Sequence, residues 1–190
     1  MTILRSLAFL ALFGFALLPL ARAEEHGAKK EGEGEAEPPP PPTASGHYVH
    51  KWVAFPGIVG AALPVADGQA TIAAKRGRLT IVIFLASWCE PCQQLLPRLR
   101  TLEKRYQRLA TDFHYVFVHD TLEDAGGFMK EFGISRGVLG NTEILKTFHN
   151  PDLPAIYVGD RHGWLMKRFV KAGPDAVESL DELLKYLAAY

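Results

Sequence analysis

Seven residues, Leu79–Leu85, form a continuous run rich in β-branched side chains and apolar but for Thr80, and two cysteines three apart begin four residues beyond its end. A strand without polar–apolar alternation is buried on both faces, so it belongs in the middle of a sheet covered on both sides. Directly after the cysteines the periodicity changes. Leu95, Leu99, Leu102, Tyr106 and Leu109 fall on one helical stripe, with charged residues between them. Pro97 lies inside that stripe and predicts a kink. The feature is therefore a buried strand that runs through a short turn into a long helix, with both sulfurs at the turn. It requires an α/β architecture.

The flanking segments fill in that architecture. Leu63–Ala66 and Gln69–Ala73, joined through Asp67-Gly68, read as a hairpin. Lys75–Arg78 is a polar turn, and Phe113–Val118 a second apolar strand. Helices are expected over Asp124–Phe132, weakened by Gly126 and Gly127, and over Asn141–Phe148, with a short connecting segment Gly137–Gly140. Ala155–Val158 and Trp164–Val170 form a second hairpin around Asp160–Gly163. Gly173-Pro174 opens a last helix with Val177, Leu180, Leu184 and Leu187 on its buried stripe. The whole is a mixed central sheet flanked by helices, with an N-terminal hairpin and a helical insert.

The first 46 residues follow other rules. Arg5 precedes the 14-residue apolar stretch Leu7–Leu20, and Ala21-Arg22-Ala23 is a small-x-small cleavage site. A spanning helix needs about 20 apolar residues, so residues 1–23 read as a cleavable export signal, with an uncleaved anchor as the alternative. No cysteine follows for a lipid anchor. Residues 24–46 hold six glutamates, two lysines and the run Pro38–Pro42, and almost no large apolar side chain. Such a segment is expected to be a disordered tether with a polyproline stretch. His26, His47 and His50 match no metal-ligand spacing, and no metal or other cofactor is expected. The folded domain is expected over residues 47–190. Basic and acidic residues number 21 each, a balance that points away from nucleic acid.

Only two cysteines occur in the chain, Cys89 and Cys92. The loop they close is too small to staple a fold, so reactivity explains them better than stability. At a helix start, unpaired amide donors and the positive dipole end face the first sulfur, lowering its pKa. Pro91 suits the first turn, where no amide donor is needed. Cys89 is then the attacking thiolate and Cys92 the resolving thiol, with Trp88 shielding one side. A zinc half-site would need further ligands that the sequence does not offer. Leu153-Pro154 opens the Ala155 strand; a cis bond there would turn the Leu153 backbone toward the cysteines for an extended peptide.

These residues resemble the thioredoxin superfamily, and most closely its exported TlpA/ResA-type reductases. The similarity rests on Ala86-Ser87-Trp88-Cys89-Glu90-Pro91-Cys92, on Pro97, and on Leu153-Pro154-Ala155-Ile156-Tyr157-Val158 with Gly163. It covers roughly residues 61–190 and includes the insert over residues 124–148. It implies a thioredoxin fold, dithiol–disulfide exchange, reduction of apocytochrome or copper-site thiols, and a membrane thiol as electron donor. Two positions depart from the pattern. Ile83 stands where thioredoxins bury an aspartate, and Leu95 where TlpA/ResA-type proteins often carry a glutamate. A buried acid would assist proton transfer at Cys92, so Glu90 and His119 are the remaining candidates for that task.

The expected function is a periplasmic or otherwise exported, monomeric protein-disulfide reductase acting on exported protein thiols and disulfides. Glu90 opposes the thiolate and tends toward a reducing couple, while the helix dipole acts the other way. Two alternatives stay open: a soft Cu(I) site made by the dithiol, and a redox-weak scaffold on the same fold.

Overall fold

The computed structural model describes residues 47–48, 53–64 and 68–189. The export signal expected over residues 1–23 and the tether over 24–46 lie outside the described residues, as does His50. The elements run β1 His47–Tyr48, β2 Ile58–Leu63, β3 Gln69–Ile72, β4 Leu79–Leu85, α1 Glu90–Tyr106, β5 Thr111–Phe117, α2 Leu122–Glu131, β6 Gly137–Leu139, α3 Thr142–Thr147, β7 Ala155–Gly159, β8 Leu165–Phe169 and α4 Pro174–Ala189. They build one mixed sheet of order β1-β8-β7-β4-β5-β6-β2-β3. The pairs β4–β5 and β5–β6 are parallel and the others antiparallel.

β4 is central, and all seven of its residues are buried. Its alternation divides the core. Leu79, Ile81, Ile83 and Leu85 join the cluster under α1, α2 and α4, together with Leu95, Leu99, Leu102, Leu180 and Leu184. Val82 and Phe84 join the opposite cluster with Ile58, Val116, Ile144, Phe148 and Tyr157. There the Phe148 ring centre lies 4.8 Å from those of both Phe84 and Tyr157, tilted to the first and edge-to-face with the second, and the Tyr157 hydroxyl donates to the Phe148 carbonyl at 3.0 Å. Truncating an aromatic in such a cluster costs about 3–5 kcal/mol, more than any single cap or surface pair. Phe148 therefore fixes where the following loop, residues 149–154, leaves α3.

The insert differs from its sequence reading. Gly137–Leu139 is a strand, not a simple connector. β6 pairs with β5 through Val138 and Leu139, and with β2 through Ala61–Leu63. It thus joins the N-terminal hairpin to the central sheet. Glycine is required where β2 crosses it, because a Cβ on Gly60 would lie 2.5 Å from Val138 Cγ1 and 2.6 Å from the Leu139 oxygen. The hairpin also begins earlier than the expected Leu63–Ala66. Its first strand runs from Ile58 and stops at Leu63. Pro64, in a cis bond, has no amide for the ladder. The Asp67 side of the expected turn lies outside the described residues.

α1 runs unbroken from Glu90 to Tyr106, with Pro97 inside it. Leu109 is not on the buried stripe as expected; it follows the helix end and is 47% exposed. Gln107 caps the helix, and Ala110 at φ 52° turns the chain into β5. This end of α1 carries polar locks. The Tyr106 hydroxyl donates to Asp181 Oδ1 at 2.7 Å, and Arg105 and Lys185 pair with the same carboxylate at 2.9 and 2.8 Å. Burial, then the bond to Asp181, pushes the Tyr106 phenol up to about 12. Burial would raise Asp181, but its bonds from Lys185, Tyr106 and Arg105 outweigh that and hold its carboxyl below the usual range. Nearby, the Tyr115 hydroxyl donates to Glu103 Oε2 at 2.6 Å, and Arg100 pairs with that carboxylate.

Candidate active site

The turn between β4 and α1 is held by a dense set of hydrogen bonds. The Ser87 amide donates to Asp120 Oδ2 at 2.9 Å and its hydroxyl to Asp120 Oδ1 at 2.5 Å. The Ser87 carbonyl accepts from Gln93 Nε2 at 2.7 Å. The indole of Trp88 donates to the His119 carbonyl at 3.1 Å, with its ring 63% exposed. His119 and Asp120 follow β5, which is parallel to β4, so the two strand ends present these groups side by side. The Cys89 amide closes the turn onto the Ala86 carbonyl at 3.1 Å.

Cys89 is the N-cap of α1, with extended backbone at φ −84° and ψ 97°. Its sulfur accepts from the Cys92 amide at 3.3 Å. The carbonyl of Cys89 takes the amides of Cys92 and Gln93 at 2.9 and 3.1 Å. Pro91 occupies the first turn, where a missing amide costs nothing. The two sulfurs are joined in a disulfide, with Cα atoms 5.2 Å apart. Both are nearly buried, Cys89 at 5% and Cys92 at 2% exposure. Only Cys89 borders the open recess of about 480 Å³ beside the turn. Trp88, Glu90 and Pro91 wall it on the α1 side; Leu145, Asn150 and Leu153 wall it on the other. The Leu153–Pro154 bond is cis. Leu153 lines the recess, and Pro154 is buried behind it.

The surroundings of the sulfurs are apolar. Ile83, fully buried, and Leu95, at 3% exposure, share their core cluster with Cys89 and Cys92. Neither position offers a carboxyl. Glu90 and His119 both line the recess, so the two substitutes suggested by sequence do stand on the Cys89 side of the disulfide. Among the described residues no group of three or more His, Cys, Asp or Glu side chains could hold a metal ion.

Of the seven residues singled out from sequence, Trp88, Cys89, Glu90, Pro91 and Leu153 line the recess, Cys92 is bonded to Cys89, and Pro154 is buried next to Leu153 in the chain. Asp120 and Ser87 were missed as a pair, being 33 residues apart. The available signal was positional. An acid just past the end of a strand parallel to β4 stands beside whatever ends β4. Leu145 was missed because it comes from the insert, in which the sequence reading named no site residue.

Comparison with known proteins agrees with this geometry. A family described as thioredoxin-like matches residues 77–136. The thiol-disulfide oxidoreductase ResA of Bacillus thuringiensis subsp. konkukian is 24% identical over 112 residues, which cover 58% of this chain and 64% of the relative. The chain thus spans a little under two thirds of the length of the curated relatives it matches. Among solved structures, a thiol:disulfide interchange protein of the thioredoxin family from Chlorobium tepidum TLS is 23% identical with a TM-score of 0.62, covering 73% of this chain and 97% of its own. StoA from Bacillus subtilis is 20% identical with a TM-score of 0.55, covering 69% and 98%.

Proposed function

We propose that this chain, a thioredoxin-like protein similar to the ResA oxidoreductases, is an exported thiol–disulfide oxidoreductase that reduces disulfides of other exported proteins. One observation carries the reading: a Cys89–Cys92 disulfide sits at a helix start, with Cys89 alone of the pair opening onto a recess. In the reduced protein the Cys89 thiolate gains the Cys92 amide and the positive end of α1. It attacks one sulfur of a substrate disulfide; an S–S bond forms to Cys89, and the other substrate sulfur leaves as thiolate. Cys92 then attacks Cys89, releasing the second substrate sulfur. The substrate gains two electrons, and the enzyme is left in the bonded form seen here.

The residues that matched the TlpA/ResA pattern support apocytochrome or copper-site thiols as substrates and a membrane thiol as donor. The sequence of residues 1–23 supports export. Among the described residues no helix is long and apolar enough to cross a membrane. With Ile83 and Leu95 apolar, the proton on Cys92 leaves through the leaving thiolate or solvent, not through a buried carboxylate.

Trapping tests the roles. Cys92→Ser accumulates mixed disulfides with substrate, identified by mass spectrometry, and Cys89→Ser does not. Equal conjugates from both variants contradict the assignment of the nucleophile. A reduction potential near −120 mV, the strongly oxidising end of the known range, rejects the reducing direction.

A further inference from the structure

Resting on the exchange chemistry just proposed, we infer that Asp120 is a positioning residue for Cys89, acting through Ser87. Every polar group of Ser87 is engaged. Its amide and hydroxyl both go to the Asp120 carboxylate, at 2.9 and 2.5 Å, and its carbonyl takes Gln93 at 2.7 Å. Trp88, the next residue, is tied by its indole to the carbonyl of His119, the neighbour of Asp120. The three-residue step from the last β4 residue to Cys89 is thereby fastened to the end of β5 by three hydrogen bonds. None of these bonds touches a sulfur.

The function of that fastening follows from the reaction. Attack on a disulfide needs three sulfurs nearly in line, so small rotations of the attacking cysteine cost rate. Cys89 is an N-cap, where backbone dihedrals are not set by helical bonding on its N-terminal side. What holds the preceding residues here is the Ser87–Asp120 clasp, together with the bond of the Cys89 amide to the Ala86 carbonyl. The exposed Trp88 ring is one wall of the recess. It stands mostly in solvent, and the same clasp fixes its root.

Two features separate this role from plain structural support. Asp120 is half-buried at the rim of the sheet, not in the core. Its carboxylate also accepts the Ser87 bonds by shape as well as by charge: an amide in its place can still accept from the Ser87 amide and donate to its hydroxyl.

The test uses the full chain in a Cys92→Ser background, where Cys89 attack is read alone. The rate with an aromatic disulfide that releases a coloured thiolate is measured against pH. Asp120→Ala lowers the plateau rate about tenfold, with the midpoint of the pH profile unmoved, because alignment changes and acidity does not. Asp120→Asn holds the plateau within about twofold. Ser87→Ala, which keeps only the amide bond, loses about threefold. The double variant Ser87→Ala, Asp120→Ala is no slower than Asp120→Ala alone. A plateau unchanged in Asp120→Ala overturns the inference. So does equal slowing in Ala and Asn, or a shifted midpoint that accounts for the loss; either would make the effect one of charge. Should Asp120→Ala fail to fold, Asp120→Asn and Ser87→Ala decide the matter, and wild-type rates in Ser87→Ala overturn it. An inert Cys92→Ser parent removes the proposed exchange function itself, whereas a reactive parent with indifferent variants removes only this assignment.

Discussion

The two ends of α1 are built on opposite principles. At the Cys89 end, both sulfurs are packed among aliphatic side chains, and the positions that could supply a buried acid hold Ile83 and Leu95. At the Tyr106 end, Asp181 is shared by a phenol, a guanidinium and an ammonium, and Glu103 by Tyr115 and Arg100. Groups that titrate are thus kept where they lock the helix to β5 and α4. Beside the sulfurs the titratable side chains, Glu90 and His119, stand exposed at the recess instead of buried in the core. A buried carboxylate beside a thiol raises its pKa and changes the redox balance. Beside a phenol it makes a strong charge-assisted hydrogen bond. The same kind of residue locks one end of the helix and would change the thiol chemistry at the other.

This contrast is open to attack, beginning where the effect is greatest. Cys89→Ser lowers disulfide exchange by at least about three orders of magnitude, while its urea midpoint stays that of the reduced wild type. Ile83→Asp puts a carboxyl into the aliphatic end and lowers stability by about 3 kcal/mol or more in urea unfolding; a smaller loss shows that end to be wetter than described. Tyr115→Phe, at the polar end, costs about 1–2 kcal/mol and leaves the exchange rate as it was. Any change in rate from that variant ties the two ends together and breaks the contrast. The smallest effect is one of pH. Tyr106 has its folded pKa raised to about 12 from an ordinary value of 10. Its contribution is complete below about pH 10 and disappears as pH rises toward 12. Asp181 is lowered, so its contribution is present above the usual carboxylate range and is lost as pH falls through the folded value. Thermal melts across both limits show the two losses, and Tyr106→Phe flattens the alkaline one.

The sequence made the middle of the molecule plain and left its margins obscure. Leu79–Leu85 is β4 to the residue, because a strand buried on both faces leaves no ambiguity of period. The α4 stripe is equally faithful: Val177, Leu180, Leu184 and Leu187 are all buried. The dithiol and the proline loop were legible because each rests on local chemistry, an N-cap and a residue without an amide. β6 was not legible. Three residues with a glycine at one end have no readable period, and only the partners on either side make them a strand. Leu109 was misplaced because the stripe continues past the helix end at Tyr106; Gln107 caps the helix, and Ala110 in a left-handed conformation then turns the chain into β5. The Ser87–Asp120 clasp is a relation between two strand ends, and a one-dimensional reading has no term for it.

The placement of the N-terminal strands constrains when this chain can become native. β2, beyond its hairpin partner β3, finds its other neighbour at residues 137–139, and β1 finds its own at Lys167 and Arg168. Both leading strands therefore wait for segments made long after them, a topology dominated by distant pairings and correspondingly slow to assemble. Almost the whole length of the chain has to be present before the sheet can close. Until then the hairpin presents bare strand edges, which are open to pairing with other chains.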